Sequence, residues 1–219
     1  MIITIDGPAG TGKSTVARAL AERLGFQFLD TGALYRAVAW ACLEGEISLD
    51  DVKTIVDKTR QMQFRWEEGR LWIDEQEVTE KIRTADVTQG ASQVAVIPEV
   101  REALNEVQRQ IADTRDIVTE GRDQGTVVFP HATCKFYLNA SAEERARRRY
   151  LELTNQGEEA EFETILEQIK ERDDRDATRE IAPLKPAPDA ILVDSTNLKP
   201  DRVLDLLEKT AQEKQAEAK

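Results

Sequence analysis

Histidine and cysteine are nearly missing from this chain. One histidine, His131, and two cysteines, Cys42 and Cys134, stand among 219 residues, so no zinc-type cluster can be assembled from them. The two thiols lie far apart, each inside an apolar element, and are expected to be buried and reduced; a disulfide or a metal pair is the alternative. His131 follows a proline in a loop and is expected at the surface. Basic charge is also short. A formal net charge of -12 argues against a nucleic-acid backbone as main partner, but leaves room for arginines gathered around a small anion in one cleft. No apolar run approaches membrane-spanning length, and the N-terminus enters a strand without a basic leader or cleavage signal, so a cytoplasmic protein away from membranes is expected. Repeats and low-complexity linkers are lacking too. The length suits one domain, 1–219, carrying an insertion.

What is present begins at Gly7-Pro8-Ala9-Gly10-Thr11-Gly12-Lys13-Ser14-Thr15, which satisfies G-x-x-x-x-G-K-[ST]. The apolar run Met1 to Asp6 precedes it, and Val16, Leu20 and Leu24 follow at helical spacing. This order is strand, loop, helix. Glycines let backbone N–H groups wrap a phosphate chain, and the helix start adds its positive dipole end. Lys13 is then expected on the β and γ phosphates of ATP, and the Ser14 hydroxyl on Mg2+.

Further along, Phe26 to Leu29 is an expected strand, and Asp30 opens a helix running to about Gly45. Ser48, with Asp51 three places on, signals the N-cap of the next helix. Phe64 with Trp66 and Leu71 with Ile73 alternate around Glu67-Glu68-Gly69, which predicts a hairpin with Trp66 and Trp72 in its small core. Helical spacing returns from Thr84 to about Ala112, interrupted at Pro98, which suits a first helical turn. Asp116 to Glu120, Cys134 to Leu138 and Ala190 to Val193 are the remaining core strands. Helices are expected over Ala142 to Thr154, Phe162 to about Arg175, and after Pro200, with Gln212 to Lys219 frayed. Strands alternating with helices give an α/β fold, a doubly wound parallel sheet with its ligand at the carboxyl ends of the strands.

A phosphate loop alone names no reaction. Arg145, Arg147, Arg148 and Arg149 precede the polar tip Asn155 to Glu159, and Arg172, Arg175 and Arg179 follow it. Closure of such a flap brings guanidinium groups over a transferring phosphoryl, whose charge lies on equatorial oxygens. The other reading is surface pairing with Glu143, Glu144, Asp173 and Asp174. The dearth of histidine bases favours an acceptor phosphate, already ionised at neutral pH, over an alcohol, although an aspartate can serve an alcohol. No Asn-Lys-x-Asp segment occurs, which removes a guanine-reading switch.

Several segments beyond the loop carry a specific resemblance: Asp30-Thr31-Gly32-Ala33-Leu34-Tyr35-Arg36; Ala91-Ser92-Gln93-Val94-Ala95 leading to Val100-Arg101-Glu102-Ala103-Leu104; Gly121-Arg122-Asp123 with Gly125 to Pro130; and Lys170 to Asp176 leading to Ala182-Pro183-Leu184. Over nearly its whole length the chain resembles the bacterial-type cytidylate kinases. The resemblance implies a nucleoside monophosphate kinase fold, a P-loop five-stranded parallel sheet with a small β-containing monophosphate-binding insert, about 63–95, and a helical arginine-rich lid, about 145–179. It implies phosphorylation of CMP and dCMP by ATP with Mg2+, UMP being the alternative acceptor. Arg36 and Arg122 would hold the acceptor phosphate, Thr31, Arg101, Asp123 and Arg179 would read cytosine, and Ser92, Arg172 and Asp176 would surround the ribose. Asp176 has a second option, a pair with Arg172. Lys13 with the lid arginines Arg145, Arg149, Arg172 and Arg175 would carry catalysis. Asp30 is left between a water-mediated role at Mg2+ and a helix cap. Related enzymes are usually monomeric, so a monomer is expected. Three departures stand out: Thr31 in place of serine, the polar Gln124 where an apolar residue is usual, which questions the geometry of Asp123, and His131 where an acid is common.

Overall fold

Short β-branched runs bounded by glycine or polar residues become strands here, and segments with apolar residues every three or four places become helices. In chain order the elements are β1 (Ile2–Asp6), α1 (Lys13–Leu24), β2 (Gln27–Asp30), α2 (Thr31–Glu44), α3 (Val52–Gln61), β3 (Phe64–Glu67), β4 (Arg70–Ile73), β5 (Gln76–Glu77), α4 (Ala85–Val94), α5 (Pro98–Ala112), β6 (Ile117–Gly121), β7 (Cys134–Asn139), α6 (Ala142–Asn155), α7 (Phe162–Thr178), β8 (Ile191–Asp194) and α8 (Pro200–Glu217). A 3-10 turn covers Lys81–Arg83 and a π-helical turn Gln124–Val128. The computed structural model describes residues 1–67 and 69–217. Glu68, in the expected hairpin turn, and Ala218 and Lys219, in the expected frayed tail, lie outside the described residues.

Five strands make the main sheet, in the order β2-β6-β1-β7-β8. Parallel pairing sets Ile3 of β1 opposite Val118 of β6 and Cys134 of β7, and Phe136 of β7 opposite Ile191 of β8. The chain leaves β1 in both directions, so the end of β1 is the switch point where such sheets bind ligands. The residues divide into two compact units, Met1–Phe26 with Ile117–Lys219, and Gln27–Asp116.

In the first unit Ile3, Ile5, Ile117, Val118, Phe136 and Leu138 are fully buried, each worth about 1.5 to 3 kcal/mol relative to exposure. Val16, Ala17, Leu20 and Ala21 form the buried stripe of α1. Helix α8 buries Val203, Leu204, Leu207 and Ala211 and, instead of fraying from Gln212, continues to Glu217. Ala211 anchors that last stretch, and Lys214 pairs with Glu217 at 2.8 Å. Helices α6 and α7 share a small core of their own, Ala146, Ile165 and Ile169, flanked by Tyr150, Leu153 and Leu166. Helix α7 runs three residues past the expected end, to Thr178.

The second unit is held together by α2 packing on α4 and α3 on α5, which draws the hairpin's flanks into one body. Strands β3 and β4 pair antiparallel, Trp66 opposite Leu71, and β5 adds a third strand. Trp66 is buried and its Nε1 donates to the Phe28 carbonyl at 2.9 Å. Trp72 is not in the hairpin core: alternation turns it to the other face, half-exposed beneath the Arg65 guanidinium at 4.3 Å. The cap of α3 is Asp51, which accepts from Thr54 N at 3.1 Å, not Ser48, whose hydroxyl accepts from Asp50 N and so closes the preceding turn. Cys42 and Cys134 are free and buried, and His131 is exposed. No helix among the described residues is long and apolar enough to cross a membrane.

Candidate active site

The loop between β1 and α1 folds as its glycines require. Gly7, Gly10 and Gly12 have φ of 147°, 78° and 87°, conformations that a Cβ disfavours, and a side chain at Gly7 would strike the Leu138 carbonyl. Gly12 caps α1 without a side-chain acceptor and no acid lies in the first turn, so the helix's leading N–H groups face outward for an anion. Lys13 is buried and its Nζ donates to the Pro8 carbonyl at 2.6 Å. Burial pushes its pKa down to about 7; neighbouring Arg122 and Arg172 add to the drop, while Glu120 and Asp6 oppose it. Ser14 Oγ donates to Glu120 Oε1 at 2.9 Å, an oxygen pair of the hard type that suits a magnesium ion and its waters.

The lid arginines have different surroundings. Arg145, near the start of α6, is buried; its Nε donates to the Ala140 carbonyl at 2.9 Å and its Nη1 to the Ala9 carbonyl at 3.1 Å, and both Nη groups hold Asp173 of α7. In this arrangement the Arg145 guanidinium ties the phosphate loop to α7. Arg148 supports the loop as well, donating to the Thr11 carbonyl at 3.2 Å and to the Ser195 carbonyl at 2.7 Å. Arg149, one turn on, is exposed and pairs with Glu152 at 2.8 Å. Arg172 is held below its ordinary pKa by burial and by Arg122 beside it, whereas Arg175 is exposed. Asp176 pairs with Arg122, at 2.8 Å, rather than with Arg172. Arg179 closes α7 and its Nε donates to the Ala182 carbonyl at 2.6 Å. Asp123 is buried at the start of the π turn.

Within the second unit, Asp30 is the N-cap of α2: Oδ1 accepts from Ala33 N at 3.1 Å and Oδ2 from Arg36 Nη2 at 2.9 Å. The cap is thus settled, and Arg36 is held over the helix start. Thr31 is buried at the first position of α2. Arg101 of α5 is buried, donates to the Ala95 carbonyl at 3.1 Å and lies over the Tyr35 ring of α2 at 5.6 Å. Ser92 is half-buried on α4.

Sequence reasoning missed three residues, Asp6, Glu120 and Ser195, while Asp173 was expected as a pairing partner of the arginines. Asp6 and Glu120 carried a signal, being acids that close buried parallel strands at the ligand-binding end. Ser195 acts on the loop across 184 residues of chain, its Oγ donating to the Thr11 carbonyl at 3.4 Å, whereas Asp173 reaches it only through Arg145, 28 residues away.

A family model described as cytidylate kinase matches residues 3–213 of this chain. The cytidylate kinase of Rhodopirellula baltica is 49% identical over 203 residues, spanning 93% of this chain and 89% of its own. That of Carboxydothermus hydrogenoformans is 50% identical over 208 residues, spanning 93% and 94%. Among solved structures, shikimate kinase from Bacteroides thetaiotaomicron covers 97% of this chain and 98% of its own at 13% identity with a TM-score of 0.50, a likeness of fold alone.

Proposed function

The chain belongs to the cytidylate kinase family, and on that premise we propose that it transfers the γ-phosphoryl group of ATP to the phosphate of CMP and dCMP, giving ADP with CDP and dCDP. The observation that carries this reading is the gathering of Lys13, Arg122 and Arg172 beside a glycine-lined anion cradle. In a loose transition state, charge spread over equatorial oxygens is what such cations stabilise. Lys13 leaves the Pro8 carbonyl for the β and γ phosphates, and loop N–H groups from Gly7 to Thr15 hold the rest. Magnesium, when bound, neutralises charge on those phosphates, and the Ser14 hydroxyl with Glu120 fits it.

For the acceptor, Arg36 and Arg122 are the phosphate holders. Arg122 uses Nε on Asp176 and Nη1 on the Gly121 carbonyl, so part of its fork still serves a phosphate. Cytosine offers an amino donor beside N3 and O2 acceptors, so Asp123 and Thr31 suit one edge and Arg101 and Arg179 the other. Ser92, Arg172 and Asp176 suit the ribose. Uracil reverses the first two polarities. A mismatched buried polar edge costs about 1 to 3 kcal/mol, so CMP leads UMP by roughly one to two orders of magnitude. Arg149 and Arg175, exposed on the lid helices, act on closure, which excludes water as a competing acceptor. ADP release measured across CMP, dCMP, UMP, AMP, dTMP and shikimate tests the assignment: CMP and dCMP are expected to lead, and UMP or AMP outrunning CMP would sink it.

A further inference from the structure

The turn that bears Arg122 and Asp123 is held from beneath by one residue of the strand that launches the phosphate loop. Asp6 is the last residue of β1, next to Gly7, and lies opposite Gly121 of β6 in the parallel register. It is 3% exposed, and its two oxygens accept from consecutive backbone groups, Oδ1 from Gln124 N at 2.8 Å and Oδ2 from Gly125 N at 2.7 Å. The turn lies so close over β1 that a Cβ at Gly125 would come within 3.0 Å of Thr4 Oγ1 and 3.3 Å of Asp6 Oδ2. On its far side the Asp123 carbonyl accepts from Val127 N at 2.9 Å and Val128 N at 3.2 Å. Gln124, the polar departure beside Asp123, accepts at Oε1 from the buried Thr119 hydroxyl at 3.0 Å, so its side chain is anchored to β6.

We propose that Asp6 is a positioning residue for acceptor selection: by clamping the Gln124 and Gly125 amides it sets the direction of Asp123 and Arg122, and thereby the preference for cytosine over uracil. The proposal rests on the reading of Asp123 as a base reader. A carboxylate is the only side-chain group of this length with acceptors at both ends, whereas an asparagine amide would aim a donor at one of the two N–H groups. Burial pushes Asp6 up to about 6 despite those two bonds, and Asp123 and Lys13 are its charged neighbours. The fold keeps a carboxylate where burial disfavours its charge, which fits a positional demand rather than a structural convenience.

Steady-state kinetics of Asp6→Asn and Asp6→Glu, with CMP, UMP and ATP each varied, test this; the glutamate keeps the charge near Lys13 while displacing the acceptor oxygens. In both variants the CMP-to-UMP ratio of kcat/KM is expected to fall about tenfold, mainly through KM for CMP, with KM for ATP within about threefold of the parent. A folded variant that keeps the parent ratio, an equal rise in KM for ATP, or failure of both variants to fold would overturn the proposal. Asp123→Ala separates the two layers. If it collapses the ratio while the Asp6 variants do not, the clamp is wrong and the base reader stands; if it leaves the ratio intact, the base reader falls and the clamp with it.

Discussion

Lys13 has an amine whose ordinary pKa is 10.5 brought down to about 7 by burial and by Arg122, a shift that an arriving polyphosphate reverses. With Lys13 in its proposed place on the β and γ phosphates, ATP binding is expected to be linked to proton uptake. Well below pH 7 the lysine is already charged and takes up almost nothing; at pH 8 it is mostly neutral when free and charged when bound. Calorimetric titration with Mg-ATP at pH 8, in buffers of different ionisation enthalpy, is expected to show uptake approaching one proton, shrinking toward zero near pH 6. Equal uptake at both pH values would remove Lys13 from the β and γ phosphates. The lysine itself was legible from the Gly12-Lys13-Ser14 spacing, because the loop is local in sequence. Its electrostatic setting was not, since Arg122 and Arg172 reach it only through the fold.

At the scale of elements, the joint between the phosphate loop, α6 and α7 is made by Arg145. Its side chain is 4% exposed and that of Asp173 is 25% exposed. Removing one partner of a buried pair leaves an uncompensated charge, so Arg145→Ala is expected to cost about 3 kcal/mol in unfolding free energy, at the low end for buried pairs because Asp173 keeps some solvent. KM for ATP should rise with it, as the Ala9 carbonyl loses its support. Arg149→Ala removes an exposed pair with Glu152 and is expected to change stability by less than about 1 kcal/mol, so any fall in its kcat would report on the proposed closure of the lid. Denaturant melts and kinetics on the two variants check this contrast, and equal destabilisation by both would contradict it. The arginine-rich segment was visible in the sequence, but its division of labour was not. Arg145 meets the loop because it lies at the start of α6, beside Gly10, where a Cβ would come within 3.2 Å of its own; Arg149 is one turn farther along. The same limit explains the misplaced cap of α3, where Ser48 and Asp51 both have capping chemistry and only the backbone path selects Asp51.

At the scale of the whole molecule, Asp6 and Lys13 are buried groups whose folded pKa values work against stability at neutral pH. Asp6 is raised from 3.8 to about 6, so its contribution is fully present below 3.8 and is lost as pH rises to 6. Lys13 is lowered, so its contribution is present above 10.5 and is lost as pH falls to 7. Between pH 6 and 7 both penalties act, and the site is maintained at the expense of the fold. Lys13→Met is accordingly expected to raise the unfolding midpoint at pH 7 by several degrees, with a smaller gain at pH 10, while abolishing phosphoryl transfer. A lower midpoint at pH 7 would show that the charge stabilises the empty loop. Strand and helix order was readable because each element carries its own period, and the resemblance supplied the acceptor residues that periodicity could not. The extent of the second unit was not readable, since the packing of α2 on α4 and α3 on α5 joins segments that local patterns treat separately.

The most direct measurement offers the protein ATP, magnesium and an equimolar mixture of CMP and UMP, with both diphosphates followed by anion-exchange chromatography. CDP is expected to form roughly ten to a hundred times faster than UDP, as the cost of a mismatched buried base edge requires. Formation of UDP at an equal or greater rate would contradict the reading of this site as a cytosine-selective monophosphate kinase.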